Sequence, residues 1–203
     1  MLVTMKEILD RAKKDNYGVT SIMVDRSSLS YEDNIAQTKE TVKMCRPLNI
    51  SVEAELGHVG QSEDYSSDVS DHFTKPEEVK KFVEETGIDY LAVAIGTAHG
   101  RYHGTPHIDF DLLKQITDVV DIPLVLHGGS GSGDENILKS VKYGINKINV
   151  GCDFMNANTE AIKKHLAADP DINFWVMMHQ VEKESQELVK HYIRLSGSEG
   201  KSL

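Results

Sequence analysis

The sequence predicts an α/β fold, an incomplete (β/α)8 TIM barrel with about five parallel strands, on three observations. Runs of β-branched residues typical of strands alternate with helical patterns along the chain, as in repeated βαβ units. The polar residues of chemical interest each follow a strand directly, as they do at the C-terminal face of a barrel. The 203 residues fall short of the roughly 250 that eight complete units need. We therefore expect one partial domain over residues 1–203.

The strands are predicted, in order, from short apolar runs that end at turn or polar residues, at 19–25, 50–56, 90–97, 122–128 and 146–151. A helix that opens with a Thr4–Glu7 capping box precedes the first strand. Helical spacing of apolar residues predicts the remaining helices, at 31–47, 74–87, 109–120, 133–144, 156–168 and 179–197. In the helix at 74–87, Thr74 is the expected N-cap and Gly87 the expected end. Residues 57–73 are polar and aperiodic, which predicts a loop of functional length.

Composition argues against several classes of partner. The formal net charge of -10 would repel a polyphosphate, so no nucleic-acid partner is expected. The aliphatic runs are too short to cross a bilayer, and residues 1–18 carry charges throughout, unlike a signal peptide. Cys45 and Cys152 are too few and too far apart for a disulfide framework. We expect a cytoplasmic protein with no membrane partner.

His99 and His127 are the first candidates for chemistry, because they end successive strands. Parallel strands bring such side chains to one rim of the sheet, where neutral imidazoles are suitable zinc ligands. A catalytic zinc needs three protein ligands and an open position. The alternative interpretation is a pair of hydrogen-bonded histidines that line a pocket.

Glycines follow the second histidine, in HGGSG, and end the last strand, in INVG. Gly128, Gly129 and Ser130 lead into one helix, and Asn149 and Gly151 lead into the next. In barrels the loops after the last two strands form the usual phosphate site together with a helix N-terminus. The segments predict a phosphate cradle, although a glycine-rich loop by itself is also typical of a tight turn.

Three glutamates complete the candidate set. Glu53 and Glu55 lie two residues apart and so share one face of a strand. Solvated charge on an exposed face would explain them equally well. Glu63 lies in the polar loop, where a carboxylate that closes over a substrate could accept a proton. A lone acid in such a loop is more often simply polar.

Five stretches together resemble the class II, zinc-dependent aldolases of ketose bisphosphates, of the fructose- and tagatose-bisphosphate type: SIMVDRSSLSYEDNIAQTKE, SVEAELGHVGQSED, EEVKKFVEETGIDYLAVAIGTAHGRYHGTPHIDFDLL, IPLVLHGGSG and GINKINVG. The resemblance implies reversible cleavage of a ketose 1,6-bisphosphate to dihydroxyacetone phosphate and glyceraldehyde 3-phosphate, with zinc (Zn2+) as the cofactor. It also implies a small sugar phosphate as substrate and a homo-oligomer.

Carried over to this sequence, the resemblance makes His99 and His127 two of three zinc ligands, and makes Asp25 and Glu55 acids near the metal. Glu63 falls at the loop glutamate that moves the substrate proton. The residues that would hold the dihydroxyacetone-phosphate part of the substrate are Gly100, Gly128, Ser130 and Asn149.

One part of the family pattern is missing. The H-x-D-H motif, with the third zinc histidine and the catalytic aspartate, does not occur, and the chain runs from the lead-in of the family's first strand directly to its fourth at residues 19 and 20. At roughly 30 residues per unit, the missing strands and helices account for the short chain, which is either an internally deleted gene product or a partial sequence. We predict no appreciable aldol cleavage by this chain alone. The alternative to a lyase is an inactive remnant that binds sugar phosphate or contributes to an oligomer.

Overall fold

The computed structural model describes residues 7, 9–10, 18–60, 70–100, 102 and 104–201. At its centre lies one sheet of five parallel strands, whose order in space follows their order in the chain. The strands are β1 (Ser21–Val24), β2 (Ser51–Leu56), β3 (Tyr90–Val93), β4 (Leu124–Leu126) and β5 (Ile145–Ile148). Sequential parallel order is the winding of a barrel rather than of a doubly wound sheet. The predicted fold class is confirmed.

The described part of the chain contains six α-helices, namely α1 (Tyr31–Cys45), α2 (Pro76–Thr86), α3 (Phe110–Thr117), α4 (Asp134–Lys142), α5 (Cys152–Ala168) and α6 (Phe174–Leu195). Residues 7, 9 and 10 are helical too, within the predicted first helix, whose other residues lie outside the described ranges. No helix in those ranges combines the length and the apolarity that a membrane crossing requires.

The helix starts differ from the prediction in two respects. Thr74 is not the N-cap of α2, which begins after Lys75. The Thr74 hydroxyl instead donates to Leu56 O at 2.5 Å and accepts from Ala94 N at 2.8 Å, so it ties β2 to the end of β3. Helices α5 and α6 both begin about one turn earlier than predicted. For α6 the reason is Asn173, whose side chain caps the helix by accepting from the amide of the second helical residue.

Strand alternation gives the sheet two different faces. On β2, Val52, Ala54 and Leu56 belong to the main hydrophobic core, whereas Glu53 and Glu55 point to the opposite face. The largest fully buried side chains of the core are Phe82, Leu91, Ile95, Leu113, Ile116, Leu124, Leu126 and Ile137. The apolar face therefore packs against the helices, and the acidic face is left for the candidate site.

Candidate active site at the carboxyl ends of the strands

The two histidines lie side by side, as predicted. The ring centroids of His99 and His127 are 5.6 Å apart and the rings are tilted by 63°. Gly128 makes this approach possible, because its φ of 65° is in the left-handed region and a Cβ would lie 2.3 Å from Ala98 O. The Tyr102 hydroxyl bridges the same two segments, at 2.8 Å from Ala98 O and 3.0 Å from Gly128 O.

His127 is held between two carboxylates. Its Nε2 lies 2.8 Å from Glu53 Oε1, and its Nδ1 lies 3.3 Å from Glu55 Oε2. The second contact is an ion pair rather than a well-directed hydrogen bond, because Glu55 Oε2 has no hydrogen-bond partner among the described residues. All three side chains are buried. Lys147 extends the cluster by donating from Nζ to Glu53 Oε2 at 2.8 Å.

The carboxylates change the protonation of the imidazole. Burial by itself lowers the pKa of His127, but the contacts with Glu53 and Glu55 outweigh burial and raise the pKa to about 9. Burial likewise raises the pKa of Glu53, and the hydrogen bonds from His127 and Lys147 outweigh it, so the pKa of Glu53 is lowered. At neutral pH His127 is therefore an imidazolium, paired with the ionised carboxylate of Glu53.

Glu55 is fixed by a second set of contacts. Its Oε1 accepts from Ser27 Oγ at 2.9 Å and from Val59 N at 2.9 Å. Ser27 Oγ also lies 2.8 Å from His58 Nδ1. Glu55 is thus hydrogen-bonded to the loop after β1 and to the segment after β2. The family resemblance implies that this glutamate is an acid near the metal.

The described side chains do not form a zinc site as they stand. Both ring nitrogens of His127 face carboxylates, and His99 Nδ1 lies 3.2 Å from Val59 O. Asp25 is exposed, and its Oδ1 accepts from the amide of Ser27. In the described ranges no group of three His, Cys, Asp or Glu side chains could hold a metal ion. Glu63, the predicted proton carrier, lies outside those ranges.

Ser130 ties the loop after β4 to the start of α5. Its Oγ accepts from Gly151 N at 3.0 Å and from Asp153 N at 3.2 Å. Among the described residues, the backbone amides of Gly128, Ser130 and Cys152 donate to no protein atom. Cys152 is the first residue of a 17-residue helix, and an unpaired amide at a helix N-terminus favours an anion.

The other predicted phosphate residues have different local roles. Gly129 N donates to Asn149 O at 3.3 Å, and a Cβ on Gly129 would lie 2.6 Å from Ile148 Cγ2, so packing alone requires glycine there. Gly100 has a φ of 108°, which favours glycine. Nothing lies within 4 Å of the place where a Cβ on Gly151 would stand. A side chain at Gly151 would meet no steric obstacle.

The partners of the predicted residues do not follow from the sequence patterns. The alternative of solvated charge is wrong for Glu53, which is buried and lies 2.8 Å from His127 Nε2. Lys147 also lies 2.9 Å from Asn149 Oδ1 and so joins the acidic cluster to the glycine loops. Its position two residues before Asn149 on β5 was the signal that could have found it, because such residues share a face.

A comparison with family models matches residues 3–201 to the model described as fructose-bisphosphate aldolase class-II. Uncharacterized protein YdjI of Escherichia coli strain K12 is 41% identical over 187 residues, which are 92% of this chain and 66% of that protein. The chain thus spans slightly less than two thirds of the length of this relative.

Solved structures agree with the sequence comparison. The crystal structure of the YdjI aldolase from Escherichia coli K12 superposes with a TM-score of 0.82 at 38% identity, over 97% of this chain and 67% of that one. Fructose-bisphosphate aldolase from Campylobacter jejuni superposes with a TM-score of 0.78 at 21% identity, over the same shares of the two chains. The second likeness shows the fold alone.

Proposed function

The chain belongs to the class-II fructose-bisphosphate aldolase family, and we propose on that premise that it binds a ketose phosphate by its phosphoryl group. The observation that carries the proposal is the arrangement around Ser130. Its hydroxyl joins the two glycine loops, and the amides of Gly128, Ser130 and Cys152 have no protein partner among the described residues. Backbone amides without a protein partner, in a glycine loop and at a helix N-terminus, are suitable donors for phosphoryl oxygens.

The charge close to the loops favours an anionic ligand, although the net charge of the whole chain is negative. The formal net charge of -10 acts over the whole surface, and salt screens it beyond about 10 Å. Close to the loops, the cationic Nζ of Lys147 lies 2.9 Å from Asn149 Oδ1, and its side chain is half exposed. The amides and Lys147 therefore act at contact distance, where the remote acidic residues contribute little.

We propose further that this chain by itself binds the sugar phosphate without cleaving it. In class-II aldolases a bound zinc supplies a Lewis acid. Here His127 donates to Glu53 and faces Glu55, and the H-x-D-H motif is absent from the sequence. Deprotonating His127 would leave Glu53 paired with Lys147 alone and would remove the positive charge beside Glu55 Oε2, and the loss of one partner from a buried ion pair costs several kcal/mol. Zinc-dependent cleavage is therefore assigned to relatives that contain the missing third.

A cytoplasmic location, expected from the composition, and a homo-oligomer, implied by the resemblance, stay predictions. A cytoplasmic location agrees with the two cysteines, Cys45 and Cys152, both of which are free thiols. A homo-oligomer agrees with the exposed start of α6, where Trp175 is 78% exposed. Glu63 likewise stays a prediction as the carrier of a substrate proton.

Titration of the purified chain with dihydroxyacetone phosphate, followed by calorimetry, tests the binding. We expect Ser130→Ala to weaken the affinity about tenfold, because two amides lose their acceptor and the loops separate. Ser196→Ala is the matched control, since its hydroxyl bonds only locally at the end of α6, to Ile193 O and to Ser198 Oγ. Equal affinity of the wild type and Ser130→Ala would contradict the proposed site.

A coupled assay with fructose 1,6-bisphosphate and added zinc tests the second part of the proposal. We expect no turnover above the uncatalysed background. Turnover comparable to that of a full-length relative would show that the chain is a complete lyase, and the binding-only function would be wrong.

A further inference from the structure

The glycine loop is also held by a carboxylate side chain that the proposed function does not use. Asp153 lies in the first turn of α5, and its Oδ2 accepts two hydrogen bonds. One comes from Gly131 N at 2.9 Å and the other from the Tyr192 hydroxyl at 2.6 Å. Tyr192 belongs to the last turn of α6. A single carboxylate oxygen thus connects the loop after β4 to the final helix.

The same aspartate also reaches the loop through its backbone. Asp153 N donates to Ser130 Oγ at 3.2 Å, next to the bond between its carboxylate and Gly131 N. Two consecutive loop residues, Ser130 and Gly131, are therefore fixed by one residue of α5. Gly131 has a φ of 72°, so its amide direction depends on a backbone conformation that few residues adopt.

Tyr192 is suited to hold the aspartate in place. Burial, reinforced by the hydrogen bond to Asp153, raises the pKa of Tyr192 well above its usual value, so the hydroxyl stays a donor. Tyr192 is half-buried against the edge of the sheet, among Ile148, Val150 and Ile193, in a groove of about 430 Å³. The helix on which it lies is 22 residues long, which gives the hydroxyl a rigid base.

We propose that Asp153 and Tyr192 are positioning residues for the phosphoryl site, which hold the glycine loop in its binding shape without touching the ligand. The pair does not supply the donors for the anion. The donors are the amides of Gly128, Ser130 and Cys152, and the first two belong to the loop that the pair fixes. This inference rests on the proposed function, because it assigns a role toward the same phosphoryl group.

A competing role for Asp153 is electrostatic. Its carboxylate is a negative charge close to a site for an anion, and removing the charge would strengthen binding if repulsion dominated. Asp153→Asn and Asp153→Ala both remove the charge, but only asparagine keeps a side-chain oxygen that accepts from Gly131 N and from Tyr192. The difference between the two variants therefore reports the hydrogen bonds alone.

The experiment measures the affinity for inorganic phosphate by NMR titration of the ¹⁵N-labelled full chain. We expect Tyr192→Phe to weaken phosphate binding about tenfold and to move the Gly131 amide resonance. The reason is that Asp153, which accepts from this amide, is no longer held by the Tyr192 hydroxyl. Tyr31→Phe is the matched control: its hydroxyl donates to Glu78 O between α1 and α2, and we expect unchanged phosphate affinity. We expect Asp153→Asn to bind phosphate more tightly than Asp153→Ala by about tenfold.

The outcomes separate the two proposals. A wild-type chain that binds neither phosphate nor dihydroxyacetone phosphate overturns the proposed function and this inference with it. A wild type that binds, with Tyr192→Phe equal to Tyr31→Phe in affinity and an unmoved Gly131 resonance, overturns the inference alone. Equal binding by Asp153→Asn and Asp153→Ala also overturns it, because then only the charge matters. The spectra themselves show whether each variant is folded.

Discussion

The two faces of the sheet are both buried, but they are built from different chemistry. On the helix-facing side, aliphatic side chains such as Leu91 and Leu124 are inaccessible to solvent. On the opposite side, Glu53, Glu55 and His127 are equally inaccessible, and they interact through charge. The same five strands carry both sets, because successive side chains of a strand point to opposite faces.

The two faces of the sheet differ in how the stability of the protein responds to a substitution. An apolar face is stabilised in proportion to the area buried, so each side chain contributes nearly independently. The charged face is stable only as a set, because removing one partner leaves another charge buried without compensation. We therefore expect substitutions on the first face to alter stability alone, and changes on the second to alter stability together with protonation.

The largest effect is expected on the helix-facing side. Phe82→Ala in α2 should lower the free energy of unfolding by about 3–5 kcal/mol, because Phe82 is fully buried and its removal leaves a cavity. Urea denaturation at constant pH measures the loss. Phosphate affinity of the folded variant should equal that of the wild type, and a large change in affinity would mean that the two faces are not independent.

The next largest effect is a dependence of the free energy of unfolding on pH, which arises from the charged face. The pKa of His127 is raised from 6.5 to about 9, so the imidazolium contributes stability that is fully present below pH 6.5 and is lost as the pH rises through about 9. The free energy of unfolding should fall by about 3 kcal/mol or less over this range. Denaturant titrations at a series of pH values measure the slope.

Glu53→Gln is the control for that slope. Glutamine keeps an oxygen opposite His127 Nε2 but removes the charge that favours the imidazolium, so the pKa of His127 should move down and the dependence above pH 6.5 should flatten. A slope identical to that of the wild type would mean that some other group titrates in this range, and the imidazolium account would be wrong.

The smallest effect concerns the small residues of β3 that face the charged cluster. Ala92 lies between Glu55 on β2 and Val125 on β4 in the ladder, and it is fully buried. Ala92→Val should cost about 1–3 kcal/mol of stability by overpacking and should shift the pKa of His127 by disturbing Glu55. ¹⁵N NMR of the imidazole measures that pKa. Loss of stability with an unchanged pKa would show that the cluster does not depend on this small side chain.

The strands and helices could be predicted largely from the sequence, because their signals are local. The alternation on β2 and the helical spacing in α1 gave the right elements, and Gly87 ends α2 with a φ of 68° as expected. The role of Thr74 could not be predicted from its own segment. It matched a capping pattern, but its hydroxyl bonds two strands instead, and no pattern within one segment contains that contact.

Residue types and spacing by themselves determined the parallel α/β winding, the meeting of His99 with His127 and the glycine loops beside them. These follow from periodicity and from the common direction of parallel strands, which are properties of short segments. Only the tertiary structure decided what each group does. Glu53 reaches His127 across 74 residues of chain, and Tyr192 reaches Asp153 across 39. Protonation and loop shape depend on such distant neighbours, because charge and hydrogen bonding act through space rather than along the chain.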